Sequence, residues 1–196
     1  GSSKQPQTEK YLEREEDIYR KINEELDQIE STLGRIDTMA SHEWGYDYQK
    51  TLEEQNKLLD QQLKKLQEKN KLQVKDLATR RKQLEDVGVT FSEDGGVMNN
   101  AEQILNNLYA GYNSMVDKYN GMSASGQEAY KAQLETEKNR IDAIEKKIDE
   151  YESTYSDFQS TLDELQDVHY QQIENEVNQF NNMVDVHLEL NDARKE

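Results

Sequence analysis

The sequence has no cysteine, one proline, and no lysine or arginine between Ile148 and Ala193. Without cysteine there are no disulfides and no thiolate metal sites, and nothing in cysteine usage indicates a redox compartment. Only 33% of residues are hydrophobic and 33% are charged, a balance too polar for a thick core but ordinary for long helices that bury a narrow stripe. No apolar run approaches the ~20 residues of a membrane span. The longest uncharged stretch, Gln103 to Val116, is interrupted by Asn106, Asn107, Gly111 and Asn113. Lys plus Arg number 24 against 41 Asp plus Glu, a net charge of −17 that repels a nucleic-acid duplex and an anionic bilayer. The expected partners are therefore proteins, with no nucleic acid and no membrane span.

What is present is helix periodicity. From about Gln127 to Leu190 there is neither Gly nor Pro, and apolar residues recur in steps of four and three. They are Tyr130, Leu134, Ile141, Ile144, Ile148, Tyr151, Tyr155, Phe158, Leu162 and Leu165, with Glu137 as the one exception. Such a seam winds around a helix and requires a partner helix to cover it. Beyond Leu165 the seam is expected to slip, through His169, Ile173 and Val177.

Earlier in the chain, about Thr8 to Ala40 keeps the same spacing through Leu12, Tyr19, Ile22, Leu26, Ile29, Leu33, Ile36 and Ala40, with Gly34 off the seam. The pattern stops at Ser41 to Asp47, where His42, Trp44 and Gly45 mark an elbow. A second helix, about Asp47 to Val87, follows on Leu52, Asn56, Leu59, Leu63, Leu66, Asn70, Leu77, Leu84 and Val87. Asn56 and Asn70 are either buried amides that fix register or half-exposed residues. Gly88 to Met98 then holds two short β-prone pieces around a Gly-rich turn, which predicts a small β-hairpin. Asn99 and Asn100, with Glu102 and Gln103 three residues on, give the start signal of a third helix ending near Asn120.

The expected fold is thus all-α: an elongated antiparallel coiled coil or bundle of four helices with a β-hairpin between helices two and three. Its parts are a tag scar and disordered lead (1–7), two long helices with an elbow at 41–47 (8–87), a tip region of hairpin and short helix (88–126), and a spine helix (127–196). Two topologies compete. In one, the spine covers helix three with 127–147 and runs antiparallel to helix two beyond Ile148. In the other, helix two pairs with 127–166 and helix one with 173–196. Charge favours the first, which sets the eight basic residues of Lys64 to Lys82 opposite roughly 153–171, where only acids occur. Helix one then either folds back at the elbow or pairs with another chain, so the oligomeric state stays open.

No chemistry is legible. None of the three His has a Glu three positions before it, which removes the di-iron bundle signature, and no His-Glu-x-x-His occurs. His169 reads as a packing residue. With Gly95 as the sixth position of a calcium loop, Thr90 and Ala101 stand where carboxylates are required. Nucleophile elbows and phosphate-cradling loops are missing. No enzyme activity, catalytic residue, cofactor or metal is expected. One stretch, 95–121, is poor in charge and carries Met98, Tyr109, Tyr112, Met115 and Tyr119, a composition suited to a protein interface. The plainer reading is that these residues pack on Ile141 and Ile144.

Four runs carry a resemblance: Glu16 to Leu26, Glu54 to Leu59, the Val89 to Asn99 turn, and Ile173 to Asn181. They resemble helical segments of tail tape-measure proteins, or similar long virion proteins, of tailed bacteriophages. That resemblance implies a fragment of a longer chain, lying in the virion tail as a spacer alongside a few other copies. The alternative is a bacterial coiled-coil adaptor or surface module that holds a protein partner at its tip.

Overall fold

The structure, a computed structural model, describes residues 4–195, with side chains described for 8–194. Gly1-Ser2-Ser3, expected above to be a tag scar, lie outside the described residues. Among the described residues the protein is all-α, with four helices: α1 (Lys4–Ala40), α2 (Gly45–Glu85), α3 (Ala101–Asn120) and α4 (Ala124–Lys195). Helix α1 therefore already includes Lys4 to Gln7 of the lead that sequence had set apart as disordered. Two compact units divide the chain: unit 1 comprises Gly1–Val74 and Phe158–Glu196, unit 2 Lys75–Asp157.

Unit 1 is a three-helix section. Helix α1 folds back on α2 within the chain: Lys65 pairs with Glu25 at 2.6 Å, Gln55 donates to Asp37, and Thr51 donates to Glu43. The elbow is short. Ser41, His42 and Glu43 return their N–H groups to Asp37, Met39 and Ala40, closing the end of α1, and Gly45 takes a φ of 64° to start α2. The core holds Ile22, Leu26 and Leu33 of α1, Leu59 and Leu66 of α2, and Val168 of α4. Of the predicted seam of α1, Ile22, Leu26, Leu33 and Ile36 are buried and Leu12, Tyr19, Ile29 and Ala40 half-buried. Asn56 and Asn70 are half-buried, whereas Gln73 is fully so.

The antiparallel match of α2 with α4 follows the first topology. In unit 1, Gln172 reaches Asp60 at 2.6 Å, Asn175 reaches the Leu52 carbonyl at 3.2 Å, and Asn182 reaches the Gly45 carbonyl at 2.8 Å. Within unit 2, Arg80 pairs with Glu150 at 2.9 Å. Relative to the alignment expected from charge, α4 is displaced by about five residues, since Arg80 was to face roughly position 155. The reason is visible in the pairs: Lys65 of the basic stretch spends its charge on α1, so α4 is placed by side-chain amides as much as by charge.

Two sequence expectations are corrected here. The first is the slip of α4 after Leu165. The buried face continues in even steps through Leu165, Val168, Gln172, Asn175, Gln179, Asn182 and Val186, while Ile173 and Val177 are 46% and 51% exposed and His169 lies in solvent. Polar amides take the inner face because they find acceptors there. Asn175 also donates to the Gln55 side chain at 3.0 Å, Gln179 to Asn175 and to the Leu52 carbonyl, and Asn182 to Gln49 at 3.2 Å. Nearby, Thr161 is 1% exposed where the seam predicted Leu162, which is 44% exposed.

The second is the β-hairpin. Among the described residues no strand forms; the segment holds one isolated antiparallel bridge, Phe91 with Met98. Ser92 N–H to the Val97 carbonyl and Asn99 N–H to the Thr90 carbonyl flank that single pair. A ladder cannot grow from it, because the Thr90 N–H is already bonded to the Asn100 side chain and α3 begins at Ala101.

Candidate functional site: the braced loop and helix α3

Unit 2 positions the residues singled out as an interface. Its core consists of Leu84, Val89, Ala101, Ile144, Ile148 and Tyr151, with Phe91, Met98, Leu105 and Leu108 packed against it. The loop between α2 and α3 is bound to this core from several sides. Gly88, with a φ of 97°, turns the chain out of α2, and Asn100 fastens the loop with its side chain, donating to the Gly88 carbonyl at 2.9 Å and accepting from Thr90 at 2.8 Å. Asn100 stands at the N-cap position of α3 but makes no capping bond there, so the start signal read in sequence serves the loop instead.

At the loop tip, Tyr151 of α4 is buried and donates its hydroxyl to the Gly95 carbonyl at 2.6 Å. Its ring lies 4.9 Å from that of Phe91, and the Arg81 guanidinium covers the other part of the Phe91 ring at 5.0 Å. Burial holds the Tyr151 hydroxyl above the usual phenol range. Gly95 and Gly96 are both needed for this approach. A Cβ on Gly95 would lie 3.0 Å from the Tyr151 hydroxyl on a backbone with φ 77°, and one on Gly96 would lie 2.8 Å from the Tyr155 hydroxyl. The two-glycine signal was present in the sequence, and close packing against α4 is what it meant.

Of the two acidic residues of the turn, Asp94 is spent locally. One oxygen of Asp94 accepts from the Ser92 hydroxyl at 2.7 Å and from the Gly96 N–H at 2.9 Å. The Gly96 N–H above all, with the Ser92 hydroxyl, holds this carboxyl below the usual carboxylate range. A folded-state pKa below the unfolded one means that the bond's stabilising effect is complete above the unfolded pKa and is lost as pH falls through the folded value. We expect the Gly96 amide to lose hydrogen-exchange protection below about pH 4, and Asp94→Asn to remove that pH dependence; unchanged protection down to pH 2 would contradict it. No group of three or more His, Cys, Asp or Glu able to hold a metal occurs among the described residues.

The five residues proposed as a partner surface are half-buried. Met98 belongs to the packing around Tyr151 and Leu84. Tyr109 donates its hydroxyl to Glu145 at 2.8 Å and lies under the Lys138 ammonium at 5.3 Å. The hydrogen bond to Glu145, then burial, raises its pKa. Tyr112, Met115 and Tyr119 follow along α3, where the Tyr119 carbonyl accepts from Gln127 at 3.1 Å. Four of the five residues thus lie on α3, where Tyr109 is used in packing on α4, and Met98 lies in the loop before it. Sequence reasoning missed Tyr151, Phe91 and Arg81 as the residues that fix the loop.

Two grooves in unit 1 are mostly polar, and a third, between Ile29 and Leu58, is mostly apolar. One is lined by Asn23, Asp27, Gln62, Lys69, Glu164 and Asp167, and another by Asp37, Ser41, Gln55, Asn175 and Asn178 among others. What these surfaces offer is hydrogen bonding and charge at a helix interface. Compared with protein-family models, curated proteins and solved structures, the chain matches none. Among the described residues no helix is long and apolar enough to cross a membrane.

Proposed function

We propose that this chain is a non-enzymatic, structural coiled-coil segment of a larger protein, a spacer or scaffold of the phage tail tape-measure kind, housed in the virion tail. Its partners are other copies or other segments of the parent chain. The observation that carries this reading is the uninterrupted 72-residue course of α4, against which α2 and α3 are both laid. A helix has a fixed rise per residue, which is the property a length-setting segment needs. The resemblance of Glu16 to Leu26 and Ile173 to Asn181 to such proteins points the same way.

The test is genetic. Removing two heptads at matched levels from α1, α2 and α4 in the parent gene is expected to shorten the tail by about 20 Å, the axial rise of 14 helical residues. Virions that assemble with tails of unchanged length would overturn the spacer role. The adaptor reading is favoured by one observation, the cross-braced loop of unit 2, which presents Val97 to solvent beside Met98. It would be the reading to keep if tail length is indifferent to the deletion.

A further inference from the structure

Helix α4 carries a second apolar seam that no described residue of unit 1 covers. Tyr170, Ile173, Val177, Phe180 and Val184 follow one another at steps of three and four, and all are exposed, Phe180 to 69%. Each lies two positions from a residue of the buried amide face, a rotation of about 200° at 3.6 residues per turn, so the seam points directly away from α2. Met183 and Leu188 widen it, and no charge interrupts 177–184. Scattered exposed apolar residues are ordinary; a heptad row of them with a neutral centre is the pattern of a helix partner.

Charge selects that partner. Glu174 and Glu176 flank one end of the seam, Asp185 and Glu189 the other, and no basic residue occurs between Ile148 and Ala193. The same face of a second copy would set carboxylate against carboxylate in either direction, with nothing to offset it. We propose that the outer face of α4 from Tyr170 to Leu188 is a docking seam for a basic amphipathic helix of another protein. Its apolar residues enter between Ile173, Val177, Phe180 and Val184, and its Lys or Arg side chains lie at both acidic ends. The contact spans about 27 Å of helix, which a partner of about five turns fills.

The probe is a synthetic helix of three heptads with Ile and Leu on the seam and Lys at the flanking positions, titrated calorimetrically into the full chain. An otherwise identical peptide with Glu at the flanks is the control. A 1:1 complex with the Lys peptide is expected, bound at least tenfold more weakly by the Glu peptide and by the Val177→Ser, Phe180→Ser double variant. Those side chains are exposed, so the variant keeps its fold, which circular dichroism checks. Equal binding of both peptides, failure of the Lys peptide to bind at tens of micromolar, or binding untouched in the double variant would each overturn the proposal. So would self-association of the chain at micromolar concentration that the double variant abolishes, since a second copy would then own the seam.

Discussion

Tyr151→Ala is expected to destabilise unit 2 by about 3–5 kcal/mol, the range for removing a large buried aromatic side chain. Three losses coincide in that substitution: the ring against Phe91, the contact with the Leu84 and Ile148 cluster, and the hydroxyl bond that anchors Gly95. Tyr151→Phe separates them. It keeps the ring and leaves the Gly95 carbonyl without its donor, for about 1–2 kcal/mol. Hydrogen exchange resolves the effect by position, with protection lost first in 88–98 and next in the adjoining turns of α2 and α4. Equal costs for the two variants would mean that the hydroxyl alone holds the loop.

Leu66→Ala is expected to cost unit 1 about 2–5 kcal/mol, because Leu66 is 1% exposed at the junction of all three helices of that unit. Its counterpart on α4 is Ile173→Ala, expected to change stability by no more than about 0.5 kcal/mol, as for other surface substitutions. The pair reads the rotational setting of α4. Were the helix turned so that its apolar seam faced α2, Ile173→Ala would cost several times more, and urea unfolding of the two variants side by side distinguishes the cases.

Much of the helix scaffold was legible because burial in α1 and in the first half of α4 depends only on spacing. Ile22, Leu26 and Leu33, like Ile141, Ile144 and Ile148, are buried where steps of four and three put them. The antiparallel pairing of α4 with α2 was legible from charge, though not its register, since exposed ion pairs discriminate weakly between neighbouring alignments. Beyond Leu165 periodicity failed for a definite reason. Two faces of α4 keep the same period, one apolar and one amide, and only the acceptors on α2 decide which turns inward.

The loop of unit 2 failed differently. Val89, Phe91 and Val97 do favour extended backbone locally, but Asn100 and Tyr151, distant in sequence, commit the segment to a compact turn. The same long-range competition diverted Asn100 from capping. As for the candidate interface residues, composition alone singled them out. It could not tell that Tyr109 is engaged with Glu145 or that Met98 is turned toward Leu84.

The amide face of α4 also fixes how the end of unit 1 responds to temperature. Separating α4 from α2 at Gln172, Asn175, Gln179 and Asn182 exposes hydrogen-bonding groups of α4 together with the buried Leu52 side chain of α2. Hydrating apolar surface raises heat capacity and hydrating polar surface lowers it. Opening at this end therefore carries a smaller heat-capacity change than opening at the leucines around Leu66. The two stretches of one contact must follow differently curved stability profiles, the leucine stretch weakening more in the cold than the amide stretch.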